Sequence, residues 1–302
     1  NYTQVKNKQM NITADVVPFP DLKITLSGDR TYAYNYSEQY DVTSGQYNSR
    51  SPYDFGNFNI STILIKTAFD QSDVNFSQAF QDFRDNRLIV ADRLANKYYG
   101  TTSFPRDAEG YPVGYGKNSQ QVLLPSFVAA YSGKEAGKVS TGVFRDVPLP
   151  NWNVKYTGLM RYTWFKDKFK TFSVQHGYRA SYNVNAFRSN LNTTPTDANG
   201  NFYASKLISN VNLAEQFNPL VKVDMTLKNS IKLLAEIKKD FPGKIGKKEQ
   251  LIIDYYTKLI PTLYFSDPVG LTGSLKKIAA TVGGAFQPIP REVTATDMRI
   301  VV

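Results

Sequence analysis

The chain has 302 residues, enough to bury a sizeable core or to form two ordinary domains, and its net charge is +10. No stretch reaches the roughly 18 consecutive apolar residues that a membrane-spanning helix needs, which excludes helical spanning but not a β-barrel, whose alternating pattern dilutes its hydropathy. The positive charges are spread singly, without a nucleic-acid-binding tract, so they favour acidic partners or anionic lipid headgroups and predict no nucleic-acid partner.

Residues 1–74 are predicted to form long strands. From Leu22 to Tyr36, apolar and aromatic side chains share one parity and polar side chains take the other, as in a strand between two environments. Residues 39–57 are rich in Gly, Ser, Asn and Tyr and predict a long polar loop. Residues 58–69 then return to strand.

The clearest helix is predicted over residues 75–99, where aromatic and small apolar residues recur every three or four positions and Gly100 provides a stop. Such an aromatic stripe is more typical of packing than of a binding groove. Residues 121–131 predict a second, shorter helix with a proline near its start, closed by Gly133. Residues 75–150 are therefore expected to be a helical cap or loop insertion.

Residues 151–240 return to long strands. The run Phe172–Phe187 alternates most clearly, because its even positions as far as Ala186 are apolar or aromatic except for His176, while its odd positions from Ser173 to Asn185 are polar or glycine. Together with the alternating segment 153–165 and a turn at 166–170, it predicts a β-hairpin.

Three shorter segments follow the hairpin. Residues 190–201 predict a loop and residues 202–213 a shorter strand. Residues 221–237 alternate either as one very long strand or as two strands joined by a turn at 228–230.

The tail, residues 241–302, has a mixed character. Helical spacing predicts helices over 247–260 and 274–284, and residues 287–302 are extended. We leave this tail unassigned, as a segment that need not be continuous with the preceding strands.

Groups that could carry chemistry are sparse. Cysteine is absent and His176 is the single histidine, which excludes disulfides, thiolate catalysis and metal sites built on His and Cys. A lone histidine on the apolar parity of a strand predicts a packed or interfacial ring. Asp82 and Asp85 fit a solvated helix face, and Tyr111–Gly116 lacks the spacing of a phosphate-binding loop. We therefore predict no enzymatic activity and no catalytic, cofactor-binding or metal-binding residues.

Several long blocks of the sequence resemble the C-terminal region of the SprA/Sov family, the outer-membrane translocons of the Bacteroidetes type IX secretion and gliding motility system. They follow one another in order over residues 11–240 and include DLKITLSGDRTYAYNYSEQYDV, FRDNRLIVADRLANKYYG, YPVGYGKNSQQVLLPSFVAAYSG and FSVQHGYRASYNVNAFRSN. Residues 241–302 depart from the family pattern.

The resemblance implies a very large single-chain antiparallel β-barrel in the cell outer membrane that exports folded cargo proteins. It also implies a PorV-type shuttle barrel, a periplasmic plug protein and outer-membrane lipid as partners. The size of about 36 strands comes from the family that the chain resembles, not from this sequence. About 36 strands of about 10 residues need about 360 residues before any loop, so this chain can supply only a sector of such a wall.

Within that sector, the apolar parity of Phe172–Phe187 is expected to face lipid and the polar parity the aqueous lumen. The residues expected to face lipid are Phe172, Val174, Tyr178, Tyr182 and Val184, and those expected to face the lumen are Gln175, Arg179 and Asn183. His176 then lies on the lipid-facing parity, which requires an interfacial position, a bulge at Gly177 or a reversal of the faces. The helical insertion is expected to cap or gate the lumen, or to meet a partner.

The alternative is a soluble or cell-surface all-β module that binds glycans or other surfaces through Tyr-rich loops. Very long strands with two distinct faces count against it, because strands in soluble domains are usually much shorter.

Overall fold

The computed structural model describes residues 2–69, 77–191, 195–237, 248–253, 261–266 and 298–301. These residues are mainly β and form one antiparallel sheet with helices packed on one face. The strands are β1 (Tyr2–Phe19), β2 (Leu22–Thr43), β3 (Gln46–Ser61), β4 (Asn151–Tyr156), β5 (Phe169–Ser189), β6 (Lys206–Phe217), β7 (Val221–Leu227), β8 (Lys232–Ile237), β9 (Lys248–Ile253), β10 (Pro261–Ser266) and β11 (Met298–Val301). The α-helices are α1 (Gln78–Tyr99), α2 (Gln120–Ser132) and α3 (Thr163–Lys168), and Gly158–Arg161 form a 3-10 helix.

At two places in the sheet, two strands lie end to end beside the same neighbouring strand. We call each such place a lane. β3 and β4 share the lane between β2 and β5, since β3 pairs with Arg30–Thr43 of β2 while β4 pairs with Leu22–Ser27. On its other side β5 pairs first with β7 and then with β6. β8 continues the sheet beyond β7, and β9, β10 and β11 continue it beyond β6. Among the described strands the sheet stays open, with β1 at one edge and β8 and β11 at the other.

The segment predicted to be a long polar loop, residues 39–57, is instead the far part of the β2–β3 hairpin. The turn consists of Ser44 and Gly45, which both take positive φ values, 55° and 78°, as a two-residue hairpin turn requires. Strand pairing resumes immediately at Thr43 and Gln46. The prediction was wrong because this part of the hairpin carries polar residues on both faces, a composition that is also typical of loops.

The two predicted helices are confirmed as α1 and α2, and β3 ends at Ser61 and not at residue 69. We call the described residues between β3 and β4, 62–69 and 77–150, the insertion. α1 follows the N-cap Ser77, whose side chain accepts a backbone N–H of the first turn, and ends at Gly100 in the left-handed conformation. α2 ends in the same way at Gly133. Both helices therefore end where the sequence predicts.

The pairing predicted for the hairpin in 153–187 is confirmed, because β4 pairs with β5. The strand predicted over 153–165 is wrong beyond Tyr156, where the 3-10 helix and α3 connect β4 to β5. Residues 221–237 form two strands, β7 and β8, so the second of the two alternatives is correct. The loop at 190–201 is confirmed for the described part of that segment.

The helix predicted over 247–260 is wrong for residues 248–253, which form β9 and pair with β6 and β10. A short apolar run fits a helix and a strand equally well, and pairing with neighbouring strands decides between them. The helix predicted over 274–284 lies outside the described residues, as does most of the extended segment 287–302, of which β11 is described.

The hydrophobic core lies between the insertion and the half of the sheet built from β3, β6 and residues 178–189 of β5. Its largest fully buried side chains come from both layers: Phe58, Ile60, Tyr182, Phe187, Ile208, Leu213 and Phe217 from the strands, and Phe80, Phe83, Leu123 and Phe127 from the helices.

Candidate functional site

One face of the sheet is apolar across many strands. Directly paired residues of antiparallel strands lie on the same face, so the pairing register shows which residues of neighbouring strands share that face. Tyr156 of β4 pairs with Leu22 of β2 and with Val174 of β5, which pairs in turn with Val223 of β7. We call this side the apolar face and the opposite side the polar face.

In the half of the sheet away from the insertion, the apolar face is a band of side chains that includes exposed residues at both edges. We call it the apolar band. Its members are Met10, Ile12, Ala14, Val16 and Phe19 of β1; Leu22, Ile24 and Leu26 of β2; Trp152, Val154 and Tyr156 of β4; Phe172 and Val174 of β5; Val221, Val223, Met225 and Leu227 of β7; and Leu233, Ala235 and Ile237 of β8. At its two edges Ile12 is 53% exposed and Ile237 is 52% exposed.

Aromatic rings gather at the end of the apolar band farthest from the insertion. The Phe165 ring lies 4.9 Å from that of Phe172, and the Phe169 ring lies 5.3 Å from it. Trp164 stands beside them, 56% exposed, with its ring 4.8 Å from that of Phe165. This end of the band, which we call its lower border, is therefore aromatic; the end next to the insertion is its upper border.

The polar face carries amide, hydroxyl and charged side chains in rows that cross the sheet. One row lies opposite the insertion and is uncharged: Gln9, Thr31, Asn59, Asn183 and Asn212. Another lies opposite the apolar band and is mostly charged: Lys23, Lys155, Gln175, Lys222 and Glu236. The strands thus separate an apolar side from a mostly polar side, with Leu234 of β8 as an apolar residue on the polar side.

The insertion packs on the apolar face, next to the apolar band. The ring of Phe144 in the insertion lies 5.1 Å from Tyr32, 5.4 Å from Phe58 and 4.9 Å from Phe187. The Arg145 guanidinium lies 5.1 Å from the centre of the Tyr182 ring, and its burial there lowers the pKa of Arg145. The insertion and the sheet therefore meet through aromatic rings and one cation–π contact.

The insertion follows the end of β3 and precedes the start of β4, and these two strands share one lane. The Leu149 N–H donates to the Ser61 carbonyl at 3.0 Å, and the Ser61 hydroxyl donates to the Leu149 carbonyl at 2.7 Å. The Asn151 side chain accepts the Ala180 N–H at 2.7 Å, and the Thr62 N–H donates to the Ala180 carbonyl at 3.0 Å. These bonds satisfy the backbone of β5 where its partner strand is interrupted.

The structure separates the residues that were predicted to face lipid. Tyr178, Tyr182 and Val184 are buried beneath the insertion, so the prediction that they face lipid is wrong. Parity could not reveal this, because the covering element comes from a distant part of the sequence. Phe172 and Val174 belong to the apolar band, and Gln175, Arg179 and Asn183 lie on the polar face, as the alternation predicts.

His176 lies on the apolar face at the border between the apolar band and the insertion. Its Nδ1 donates a hydrogen bond of 2.7 Å to the Leu220 carbonyl, and its ring lies 5.9 Å from that of Phe217. Pairing with β4 runs through Gly177 without a shift, so the bulge considered at that position is excluded. The interfacial position remains a prediction.

Two short hairpins share one construction that sequence reasoning missed. Asp107 and Asp197 each accept backbone N–H groups from residues two and four positions ahead, and a glycine with positive φ follows three positions later. The repeated signal is DAEG and DANG. The second hairpin docks on the insertion, where the Phe202 N–H donates to the Gly114 carbonyl at 2.8 Å. Both aspartates act as turn formers.

In the described part of the chain, no three His, Asp or Glu side chains gather in a way that could hold a metal ion. Among the same residues, no helix combines the length and the apolar character needed to cross a membrane. No family model matches the chain, and no curated protein matches it either. The two-faced sheet with its flanking insertion is therefore the feature on which a function can be argued.

Proposed function

We propose that this chain forms a sector of the wall of a protein-conducting β-barrel in the outer membrane, related to the SprA/Sov translocons. The observation that carries the proposal is the opposition of the apolar band to rows of polar and charged side chains on the other face of the same strands. Lipid-facing and lumen-facing positions alternate in this way along the strands of membrane barrels.

The dimensions of the apolar band support the proposal. On β1 the band runs from Met10 to Phe19, which is about 30 Å along the strand. A tilt of about 40° reduces this to about 23 Å, close to the apolar height of about 25 Å in outer-membrane barrels. Beyond Met10 the same face of β1 carries Lys8 and Lys6, which fit the aqueous side of the border.

The aromatic border and the open edges support it as well. Membrane barrels carry aromatic girdles at the two borders of their apolar band, and Trp164, Phe165 and Phe169 occupy one such border. The unpaired edges of β1, β8 and β11 among the described strands would be costly in lipid and require further strands to close the wall.

A pore wall needs no reacting groups, and the polar face offers a lining suited to folded proteins. The uncharged row with Asn59, Asn183 and Asn212 carries no fixed charge that would hold a passing protein of either sign. The resemblance supplies the cargo class and the proposed partners, a PorV-type shuttle barrel and a periplasmic plug protein.

Tryptophan fluorescence tests the proposal, because the chain contains just two tryptophans. Trp152 lies in the apolar band and Trp164 at its aromatic border. Each is isolated by replacing the other with phenylalanine, and the full-length protein is reconstituted in lipid brominated on its acyl chains. We expect strong quenching of Trp152 and weaker quenching of Trp164. A chain that stays in solution without detergent and shows no quenching would instead be the soluble all-β module.

A further inference from the structure

We infer that the helical insertion, in its described residues 62–69 and 77–150, lies outside the pore lumen, on the outer flank of the wall, and that its lower rim rests at the lipid headgroups. The inference rests on the proposed function, because it takes the apolar band to face lipid. It replaces the expectation that the insertion caps or gates the lumen.

The first argument is the continuity of β5. Val174 in the apolar band and Tyr182 beneath the insertion are both on even positions of one strand. Pairing with β4 and then with β6 runs without a shift from Val174 to Val184, so these side chains leave the sheet on the same side. If lipid lies on that side at Val174, the insertion lies on that side too.

The second argument is the state of the polar face behind the insertion. Arg179 occupies an odd position in the same stretch of β5 and is exposed. The register shifts between Val184 and Phe187, so that the odd-numbered Phe187 lies on the side of Tyr182. The uncharged row that includes Asn183 lies on the side of Arg179. An insertion inside the lumen would pack on these side chains, but it packs on Phe58, Tyr182 and Phe187 on the opposite side.

The third argument concerns the lower rim of the insertion, the edge that borders the apolar band, which we define as Phe69 and Val147. The Phe69 ring lies 5.6 Å from that of Phe217, which neighbours His176 at the top of the apolar band. Yet Phe69 is 59% exposed and Val147 is 74% exposed. Two exposed apolar side chains on this edge would be unfavourable in bulk water.

The rim meets β2 at the upper end of the apolar band, at Gly28, which pairs with Ile12 of β1. Pro148, next to Val147, packs against Gly28, where an added Cβ would lie 3.4 Å from the proline ring, and Leu26 of the band is two positions away on the same face. Phe69 and Val147 are therefore exposed on the edge of the insertion that borders the apolar band, where apolar side chains meet a membrane interface. The occupant that we infer for the rim is the lipid that surrounds the band.

Site-directed fluorescence tests the inference, and the absence of cysteine in the chain makes single labels straightforward. Val147→Cys places a label on the rim, Val174→Cys in the apolar band and Gln175→Cys on the polar face. Each full-length variant is labelled with an environment-sensitive dye and reconstituted in nanodiscs. Three quenchers are then applied: nitroxide on the acyl chain, nitroxide on the headgroup, and iodide in water.

We expect the acyl-chain nitroxide to remove most of the fluorescence at position 174, the headgroup nitroxide to do so at position 147, and iodide alone to quench position 175. If the acyl-chain nitroxide quenches position 175 and iodide quenches position 174, the insertion lies in the lumen. The inference then fails, but the proposed pore wall does not. If position 174 responds as expected but position 147 responds to iodide alone, the rim does not touch lipid and the inference fails. If neither 174 nor 175 responds to lipid-borne quenchers, the proposed function itself fails.

Discussion

At Ser61 a single side chain holds the two ends of the insertion together. Its hydroxyl accepts the Asp29 N–H at 3.1 Å and donates to the Leu149 carbonyl at 2.7 Å. The residue is buried, so both partners would lose their hydrogen bond without access to water. A buried polar group left unsatisfied costs more than the bond itself contributes.

We predict that Ser61→Ala destabilises the folded protein by about 1–3 kcal/mol, because it strands one N–H and one carbonyl. The measurement is the urea midpoint followed by the fluorescence of Trp152, which lies in the strand that begins where the insertion ends. The exposed Ser103 provides the matched control, and Ser103→Ala should leave the midpoint unchanged. Equal midpoints for the two variants would contradict the role assigned to Ser61.

Gly177 illustrates a close backbone approach at the residue scale. A Cβ added there would lie 2.5 Å from the Asn218 carbonyl oxygen, closer than atoms can approach without movement of the backbone. We predict that Gly177→Ala destabilises the protein by about 1–3 kcal/mol, the usual cost of inserting a methyl group into a filled space.

The control for Gly177 is Gly137→Ala, since no heavy atom lies within 4 Å of the Cβ that it would add. This second variant should be neutral or slightly stabilising, because alanine restricts the unfolded chain. Thermal unfolding of both variants checks the pair. A destabilised Gly137→Ala protein together with an unaffected Gly177→Ala protein would show that the packing around the two glycines is misassigned.

At the scale of elements, packing between aromatic side chains stabilises the insertion in addition to the hydrogen bonds within its helices. Phe127 of α2 is fully buried, and its ring makes an edge contact with that of Phe83 in α1 at 6.4 Å. The outer surface of α1 is mostly polar, although Leu88 and Ile89 are exposed there, so packing of its inner face supplies most of its stability.

We predict that Phe127→Ala costs about 3–5 kcal/mol, as expected for emptying a large buried site, and that it loosens the insertion before the sheet unfolds. Limited proteolysis measures this, because the turn-rich residues 101–118 should become sensitive while the strands stay protected. Leu88→Ala on the exposed side of α1 is the control, since Leu88 is 40% exposed. Simultaneous cleavage of insertion and strands would show that the two form one cooperative unit.

At the scale of the whole molecule, the two faces of the sheet predict opposite responses to charge at adjacent residues. Val174→Lys places a charge in the apolar band, and Gln175→Lys places the same charge on the polar face. If the band faces lipid, the first variant loses about 2–4 kcal/mol of folding stability in the membrane, whereas the second stays close to wild type. The measurement is the fraction of folded protein recovered in the outer-membrane fraction. Similar recovery of the two variants would argue against a lipid-facing band.

Much of the local structure follows from the sequence, because neighbouring residues decide it. The alternation of Phe172–Phe187 predicts the strand and its two faces, and the glycines after α1 and α2 predict where those helices end. The tip of the β2–β3 hairpin was missed because its residues are mostly polar and Tyr40, Val42 and Tyr47 are too few to show the alternation. β9 was predicted as part of a helix over 247–260, because Leu251, Ile252, Tyr255 and Leu259 recur at helical spacing, whereas pairing with β6 and β10 makes 248–253 a strand.

What the tertiary structure alone decided is the environment of each face. The sequence by itself determined that Tyr178 and Tyr182 share a side with Val174. It could not show that Leu64 of the insertion donates a hydrogen bond to the Tyr178 hydroxyl or that Arg145 lies over the Tyr182 ring, because these contacts join residues far apart in the chain. Parity assigns a side chain to a face, but the element that packs on the face, or the solvent that meets it, depends on how distant segments assemble.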